Sequence, residues 1–278
     1  MGQSLNSAES LPDDVAVKVV GVWKKYRLGS YGGATLVQEV QSLFAKLLRR
    51  EDPNSKLVLN RGSIKESQTS RNHWFWAVKK VSFEVKKGEC VAILGRNGAG
   101  KSTLLQILCG VTEADQGTVY YRGRFATLLQ AGVGFHEELT GMENIFLSGS
   151  ILGLTREEII KQIPAILEFS EISEFAETPV KRYSSGMRSR LGFSVAAHLG
   201  AEIMIFDEAF ATGDRTYRYK CIDKIRELSD GGTTILLVTH MVGMLGDAVK
   251  RIIFMKDGEI YFDGDKARGV ELYENPPS

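Results

Sequence analysis

The sequence has no long apolar run. Its longest hydrophobic stretches fall well short of the ~18 residues that a transmembrane helix needs. The polar start, MGQSLNSAESLPDD, lacks the apolar core of a signal peptide and predicts a disordered tail over residues 1–14. We therefore expect the chain to reach a membrane only from its surface or through partner proteins.

Excess charge and clustered cysteines are also missing. Lys plus Arg total 35 against 34 for Asp plus Glu, so no basic surplus suggests a nucleic-acid partner. The three cysteines, Cys90, Cys109 and Cys221, lie far apart and lack metal or redox spacing. Two of them sit among apolar residues, which indicates buried thiols in a reducing compartment.

Strand patterns alternate with helix patterns, which predicts an α/β core with a parallel sheet. A long polar segment, residues 28–73, interrupts the β-rich beginning. The helix pattern of residues 157–175 contains Pro164, which should kink or break it. A hairpin is predicted around the Asp257-Gly258 turn. Strands are predicted at residues 15–22, 81–85, 90–94, 203–206 and 235–238, and a helix at residues 102–108.

A glycine-rich motif joins the strand at residues 90–94 to the helix that follows. It fits G-x-x-x-x-G-K-[ST], the phosphate loop of proteins that bind nucleoside triphosphates. Lys101 is expected to reach the β and γ phosphates, and the Ser102 hydroxyl to coordinate Mg²⁺. The predicted contacts are Gly95, Arg96, Asn97, Gly98, Ala99, Gly100, Lys101, Ser102 and Thr103.

Two later apolar strands end in residues that suit phosphate chemistry. Asp207 and Glu208 follow IMIF, and we expect Asp207 to hold Mg²⁺ through water and Glu208 to polarise the attacking water. His240 ends ILLVTH, where it can touch a γ-phosphate. Each residue alone also fits a purely structural role.

The segment YSSGMRSR, residues 183–190, resembles the Leu-Ser-Gly-Gly-Gln signature of the ABC ATPase family. The resemblance covers residues 15–264. It implies that Ser184 and Gly186 contact the γ-phosphate bound by an opposing copy. Ser185 and Met187 depart from the signature.

The resemblance assigns roles in the same order along the chain. Gln130 matches the Q-loop and implies a further Mg²⁺ contact, Asp214 matches the D-loop, and His240 becomes the switch histidine. It also implies a RecA-like P-loop NTPase core, an antiparallel β-subdomain and a helical signature subdomain at about residues 131–195. ATP and Mg²⁺ are the implied cofactors, and the site is completed only in a dimer.

Adenine stacking requires an aromatic residue upstream of the phosphate loop. Tyr26 matches the family position. Trp74, Phe75 and Trp76 compete with it, although packing in the core or against a partner explains them as well.

Three phrases resemble one subgroup of the family: HWFWAVKKVSFEV, LLQAGVGFHEELTGMENIFL and YSSGMRSRLGFSVAAHL. This subgroup exports lipid-linked polysaccharides such as O-antigen, capsule, teichoic acid and galactan. The resemblance implies a peripheral ATPase at the cytoplasmic face of the membrane, with two transmembrane permease subunits that carry the glycan. We expect residues 265–278 to form a tail and no carbohydrate-binding domain to be present.

The 28–73 insertion carries apolar residues at helical spacing, followed by basic ones. They are Leu36, Val40, Leu43, Phe44, Leu47 and Leu48, with the basic residues Lys46, Arg49 and Arg50 toward the C-terminal end. Such a helix can lie on an anionic membrane or on a partner, or it can cover its own β-subdomain. The subgroup resembles proteins with a gate-like helix near the pore entrance. That resemblance favours a helix on the membrane or on a partner over one that covers its own β-subdomain.

Other functions stay open at this level. A translation-type ABC protein normally carries two modules, and a chromosome-maintenance ATPase needs coiled-coil heptads that are missing here. An ABC subunit for a drug or lipid substrate fits the same motifs.

Overall fold

The fold is described from a computed structural model that covers most of the chain. The described ranges are residues 11–28, 56–57, 74–128, 135–207, 215–239 and 242–275. The predicted amphipathic helix and four predicted site residues, Gln130, Glu208, Asp214 and His240, lie outside these ranges.

In the described part of the chain, ten strands form two sheets. They are β1 (Val15–Leu28), β2 (Lys56–Leu57), β3 (Trp74–Lys86), β4 (Cys90–Gly95), β5 (Gln116–Tyr121), β6 (Phe125–Leu128), β7 (Ile203–Phe206), β8 (Thr234–Val238), β9 (Arg251–Lys256) and β10 (Glu259–Asp265). Among the described residues, β1 pairs antiparallel with β3 and β5 and parallel with β2. The other sheet has the order β10-β9-β4-β8-β7-β6.

The larger sheet places the site-bearing strands side by side. Strands β4, β8, β7 and β6 are parallel neighbours, and β9 lies parallel on the other side of β4. All residues of β4, β7 and β8 are buried, which explains their unbroken apolar sequences. Because the strands are parallel, their carboxyl ends meet at one edge, where ligands bind in α/β sheets. The predicted α/β fold with a parallel core sheet and an antiparallel β-sheet is confirmed.

Six α-helices complete the described architecture. They are α1 (Lys101–Leu108), α2 (Gly141–Ile151), α3 (Arg156–Ser170), α4 (Ser185–His198), α5 (Arg215–Asp230) and α6 (Lys266–Glu274). Helices α2, α3 and α4 share a hydrophobic cluster that includes Ile145, Ile159 and Leu191. None of the helices in the described ranges is long and apolar enough to cross a membrane.

The expected break at Pro164 does not occur. Helix α3 starts with a capping box between Thr155 and Glu158 and continues through Pro164 to Ser170. Proline removes the bond to the carbonyl four residues earlier, which belongs to Ile160. Both Pro164 and Ile160 are exposed, so water can hydrogen-bond the freed carbonyl.

Both ends of the described fold are more ordered than the sequence suggested. Leu11, assigned to the disordered tail, is buried, and its carbonyl accepts a hydrogen bond from Arg122 at 2.5 Å. The segment assigned to a C-terminal tail contains α6, whose Val270 and Tyr273 pack against the core. Short segments with few apolar residues carry weak periodicity, so only their tertiary contacts reveal their structure.

Strand β1 is also longer than predicted. It continues past Val22 to Leu28, and β3 starts at Trp74 rather than at Val81. Register shifts interrupt the pairing of β1 with β3, and Gly21 has a φ of 55°. Such irregularities hide the simple alternation on which strand prediction depends.

The predicted hairpin is confirmed. Asp257 and Gly258 connect β9 to β10 with φ values of 51° and 85°. Positive φ at both central residues is the requirement of a type I′ turn, which an Asp-Gly pair meets at little cost.

Candidate functional site

The glycine-rich loop runs from the end of β4 to the start of α1. Gly98 and Gly100 have φ values of 84° and 98°, which glycine adopts without steric penalty. A Cβ atom at Gly95 would lie 2.6 Å from the carbonyl oxygen of Met255, and one at Gly100 would overlap the carbonyl oxygen of Ala77. Neighbouring backbone therefore requires glycine at both ends of the loop.

Lys101 is the first residue of α1, and only 9% of it is exposed. Its ammonium donates to the carbonyl oxygens of Gly95 at 2.7 Å and Arg96 at 3.3 Å. A buried ammonium needs such partners, because burial without them is costly. Phosphate oxygens are charged and would accept stronger hydrogen bonds than these neutral carbonyls.

A cavity of about 350 Å³ lies over the loop. Asp207 at the end of β7 lines it together with Ser102 and Thr103. Mg²⁺ prefers carboxylate, hydroxyl and phosphate oxygens, so this donor set fits the ion. No three His, Cys, Asp or Glu residues of the described part of the chain gather into a metal site. Ser102 and Asp207 do offer oxygen donors that suit a Mg²⁺ ion.

Cys109 directly follows α1, and its thiol interacts electrostatically with Asp207. Burial raises the pKa of the Cys109 thiol to about 12, and the negative charge of Asp207 contributes in the same direction. The thiol therefore stays neutral at physiological pH. No sequence pattern had linked these two residues.

Phe75 supplies an aromatic wall of the cavity, next to Ala77. Tyr26 lies directly opposite Phe75 in the β1–β3 pair, so both side chains project from the same face of the sheet. Tyr26 is half-buried. Two aromatic residues thus stand on the sheet face that carries the cavity.

The three tryptophans gather on the opposite face. The Lys25 ammonium lies 4.5 Å from the ring centroid of Trp74 and 5.9 Å from that of Trp76. Trp23 contacts Trp76 edge-on, with 5.2 Å between centroids. Because successive strand residues alternate between faces, Trp74 and Trp76 point away from Phe75 and the cavity.

Ser184 caps the N-terminus of α4. Its hydroxyl oxygen accepts a hydrogen bond from the Met187 amide at 3.1 Å, and Ser184 itself is exposed. Tyr183, just before it, is buried and donates to the Phe175 carbonyl at 2.7 Å. Gly186 is half-buried in the first turn. Ser184 is not among the residues that line the loop cavity of its own chain.

The predicted residues outside the described ranges have described neighbours. Glu208 follows Asp207, and His240 follows Thr239, which is buried and comes directly after β8. The roles predicted for Glu208, His240, Gln130 and Asp214 stay predictions.

Comparison with known proteins identifies the family. Residues 78–211 match the family model described as ABC transporter. Over 207 residues the chain is 44% identical to the O-antigen export system ATP-binding protein RfbB of Klebsiella pneumoniae, covering 74% of this chain and 84% of the relative. The chain belongs to the ABC transporter ATP-binding family. It is therefore an ATPase subunit, as its phosphate loop and signature predicted.

Other relatives of this ABC ATPase extend the comparison. It is 42% identical over 200 residues to the teichoic acids export ATP-binding protein TagH of Listeria monocytogenes serotype 4b, covering 72% of this chain and 59% of the relative. A solved ATP-binding subunit of an ABC transporter superposes with a TM-score of 0.67 at 21% identity, covering 95% of each chain. The dimeric ATP-binding cassette MJ0796 bound to ADP and phosphate superposes with a TM-score of 0.65 at 22% identity, covering 90% of this chain and 98% of that one. These two structures confirm the fold.

Proposed function

We propose that this ATPase drives the export of a lipid-linked polysaccharide across the cytoplasmic membrane. The observation that carries the proposal is 44% identity to an O-antigen export ATP-binding protein over 84% of that protein's length. Relatives named for teichoic acid export match at similar identity. O-antigen and teichoic acid differ chemically, so the proposal concerns the class of polymer rather than one glycan.

The proposed unit is a pair of these chains with two ATP molecules between them. Ser184 is exposed and does not line its own cavity, so it is available to a nucleotide held by a second copy. The N-terminus of α4 carries a partial positive charge that favours a γ-phosphate. Gly186 keeps the first turn of α4 free of a side chain that would block the approach of the γ-phosphate. A symmetric pair of this kind repeats the contact at both sites.

Hydrolysis requires in-line attack on the γ-phosphate and stabilisation of its negative charge. Lys101 supplies positive charge from the loop side, and Ser184 supplies a donor from the opposing copy. Mg²⁺, when bound, neutralises phosphate charge, and Ser102, Asp207 and Gln130 would hold it. Glu208 would orient the attacking water.

The remaining predicted residues complete this arrangement. His240 would contact the γ-phosphate, and Asp214 would lie at the interface between the copies. On the base side we propose that adenine rests against Phe75, with Tyr26 beside it, because Phe75 lines the cavity. A planar aromatic ring can stack on the flat face of a base.

The proposed location is the cytoplasmic face of the membrane, where two permease subunits would hold the chain and carry the glycan. Balanced charge on the chain, with 35 basic and 34 acidic residues, favours attachment through protein partners over binding to anionic lipid alone.

Co-expression with a six-helix permease encoded beside glycosyltransferases tests the proposal. We expect the two proteins to co-purify, and ATP turnover in vesicles to rise when lipid-linked glycan is added. Cells that lack the chain should lose the surface polymer, and Lys101→Ala should not restore it. Normal surface polymer in the deletion strain would overturn polysaccharide export and favour another cargo.

A further inference from the structure

Two segments that are distant in sequence run side by side in the helical part of the molecule. Residues 136–140 precede α2, and residues 178–181 precede the signature. The amide of Lys181 donates to the Glu137 carbonyl at 2.9 Å, and that of Val180 donates to the Leu139 carbonyl at 2.9 Å. An isolated antiparallel bridge joins Thr140 to Pro179. We call this pair of segments the clasp.

A buried amide fixes one side of the clasp. Asn144 in α2 is fully buried, and its Oδ1 accepts from the His136 amide at 2.7 Å. Its Nδ2 donates to the carbonyls of His136, Leu139 and Thr140 at 2.9–3.2 Å. Residues 136–140, which come soon after Gln130 in the sequence, are therefore anchored to α2.

One ion pair connects the clasp to the signature helix. Arg188 Nη1 lies 3.2 Å from Glu137 Oε1, and Arg188 Nη2 donates to the Lys181 carbonyl at 3.2 Å. The Arg188 amide donates to the Ser184 carbonyl at 3.0 Å, so Arg188 lies one helical turn beyond Ser184. A single guanidinium thus touches both segments of the clasp and lies on the turn that presents the signature serine.

The Glu137–Arg188 pair is better suited to orient the signature turn than to stabilise the fold. Side chains of Glu137 and Arg188 are 67% and 29% exposed, and exposed ion pairs add little to folding stability. A catalytic donor, in contrast, must be placed within a fraction of an ångström, and small displacements cost large factors in rate. Loss of this pair should therefore lower ATP turnover clearly while it changes the folding stability only slightly.

We propose that Glu137 is a positioning residue for hydrolysis: through Arg188 it sets where Ser184 meets the γ-phosphate of the opposing copy. The inference rests on the proposed function of Ser184 in a two-copy site. Because the clasp joins residues 136–140 to the segment before the signature, we expect a shift of one to be passed to the other.

Glu137→Gln keeps the size of the side chain and removes its charge. We expect the ATP turnover number of the purified chain to fall about tenfold, because Ser184 is displaced. The dissociation constant for ATP should change less than twofold, because the loop cavity does not include the clasp. The melting temperature should move by less than about 2 °C.

Glu138→Gln is the matched control. Glu138 pairs with Lys181 at 2.5 Å on the same segment, one residue further along, and has no contact with Arg188 among those described. Its removal should leave turnover within twofold of the unsubstituted chain. A merely structural clasp would respond equally to both substitutions.

Arg188→Gln and the double variant complete a cycle that tests whether the two residues act together. If Glu137 acts through Arg188, the double variant should be no slower than Arg188→Gln alone. Additive losses, or Glu137→Gln turnover equal to that of Glu138→Gln, would overturn the positioning role. Failure of the unsubstituted chain to hydrolyse ATP would instead overturn the proposed function and the positioning role with it.

Discussion

Substitution of Phe75 by alanine tests the base-binding side of the cavity. Phe75 lines the cavity and is half-buried, so its ring can stack on a bound base. Stacking of a base on an aromatic side chain contributes about 1–3 kcal/mol. Since each 1.4 kcal/mol changes a binding constant tenfold, the dissociation constant for ATP should rise by a factor of about 5 to 150.

Calorimetric titration with ATP and with inorganic tripolyphosphate separates the base from the phosphates. We propose that the loop and Lys101 make the phosphate contacts, so Phe75→Ala should leave tripolyphosphate binding within twofold. Trp74→Ala changes the adjacent aromatic residue on the opposite face and should leave both affinities unchanged. Tyr26→Ala measures how much the neighbouring ring contributes to the affinity for ATP. Equal weakening of ATP and tripolyphosphate, or ATP binding unchanged by Phe75→Ala, would refute the assignment.

Three further outcomes are expected. Glu208→Gln should abolish turnover and hold an ATP-bound dimer, which light scattering after size exclusion would detect; unchanged hydrolysis would remove Glu208 from the catalytic role. Asn144→Ala breaks the four hydrogen bonds of a buried side chain and should cost about 4 kcal/mol, because each contributes roughly 1 kcal/mol. Calorimetry should then show a melting temperature about 10 °C lower, and a shift below about 3 °C would contradict this reading. Burial raises the pKa of the Cys90 and Cys221 thiols to about 12, so almost no thiolate forms at pH 8. Mass spectrometry should find both thiols unalkylated in the folded chain and alkylated in urea, whereas rapid alkylation of the folded chain would show that they are accessible.

Local patterns predicted the features that depend on a few consecutive residues. The phosphate loop was recognisable because its glycines and Lys101 must follow one another in a fixed order. The apolar strands before Asp207 and His240 were visible because both faces of a parallel sheet are buried. The Asp257-Gly258 turn followed from the positive φ that its two residues accept.

Features that depend on the surroundings of a segment were predicted less well. Pro164 looked like a helix breaker, but its solvent-facing position makes the lost hydrogen bond tolerable. The clasp was invisible, since the amide of Asn144 bonds to backbone atoms and any residue can provide those. Helix α6 has a weak apolar pattern and is defined by its packing on the core.

By itself the sequence determined that this chain carries a phosphate-loop pattern at residues 95–103 and belongs with the ABC ATPases, because that chemistry needs particular residues at particular spacings. Only the tertiary structure decided which aromatic residue faces the cavity over the loop. Alternation along β3 shows that Phe75 points away from Trp74 and Trp76, but not which side meets the loop. The pairing of β1 with β3 and the approach of Ala77 to Gly100 settle that choice, because they turn Phe75 toward the cavity and leave the tryptophans on the other face.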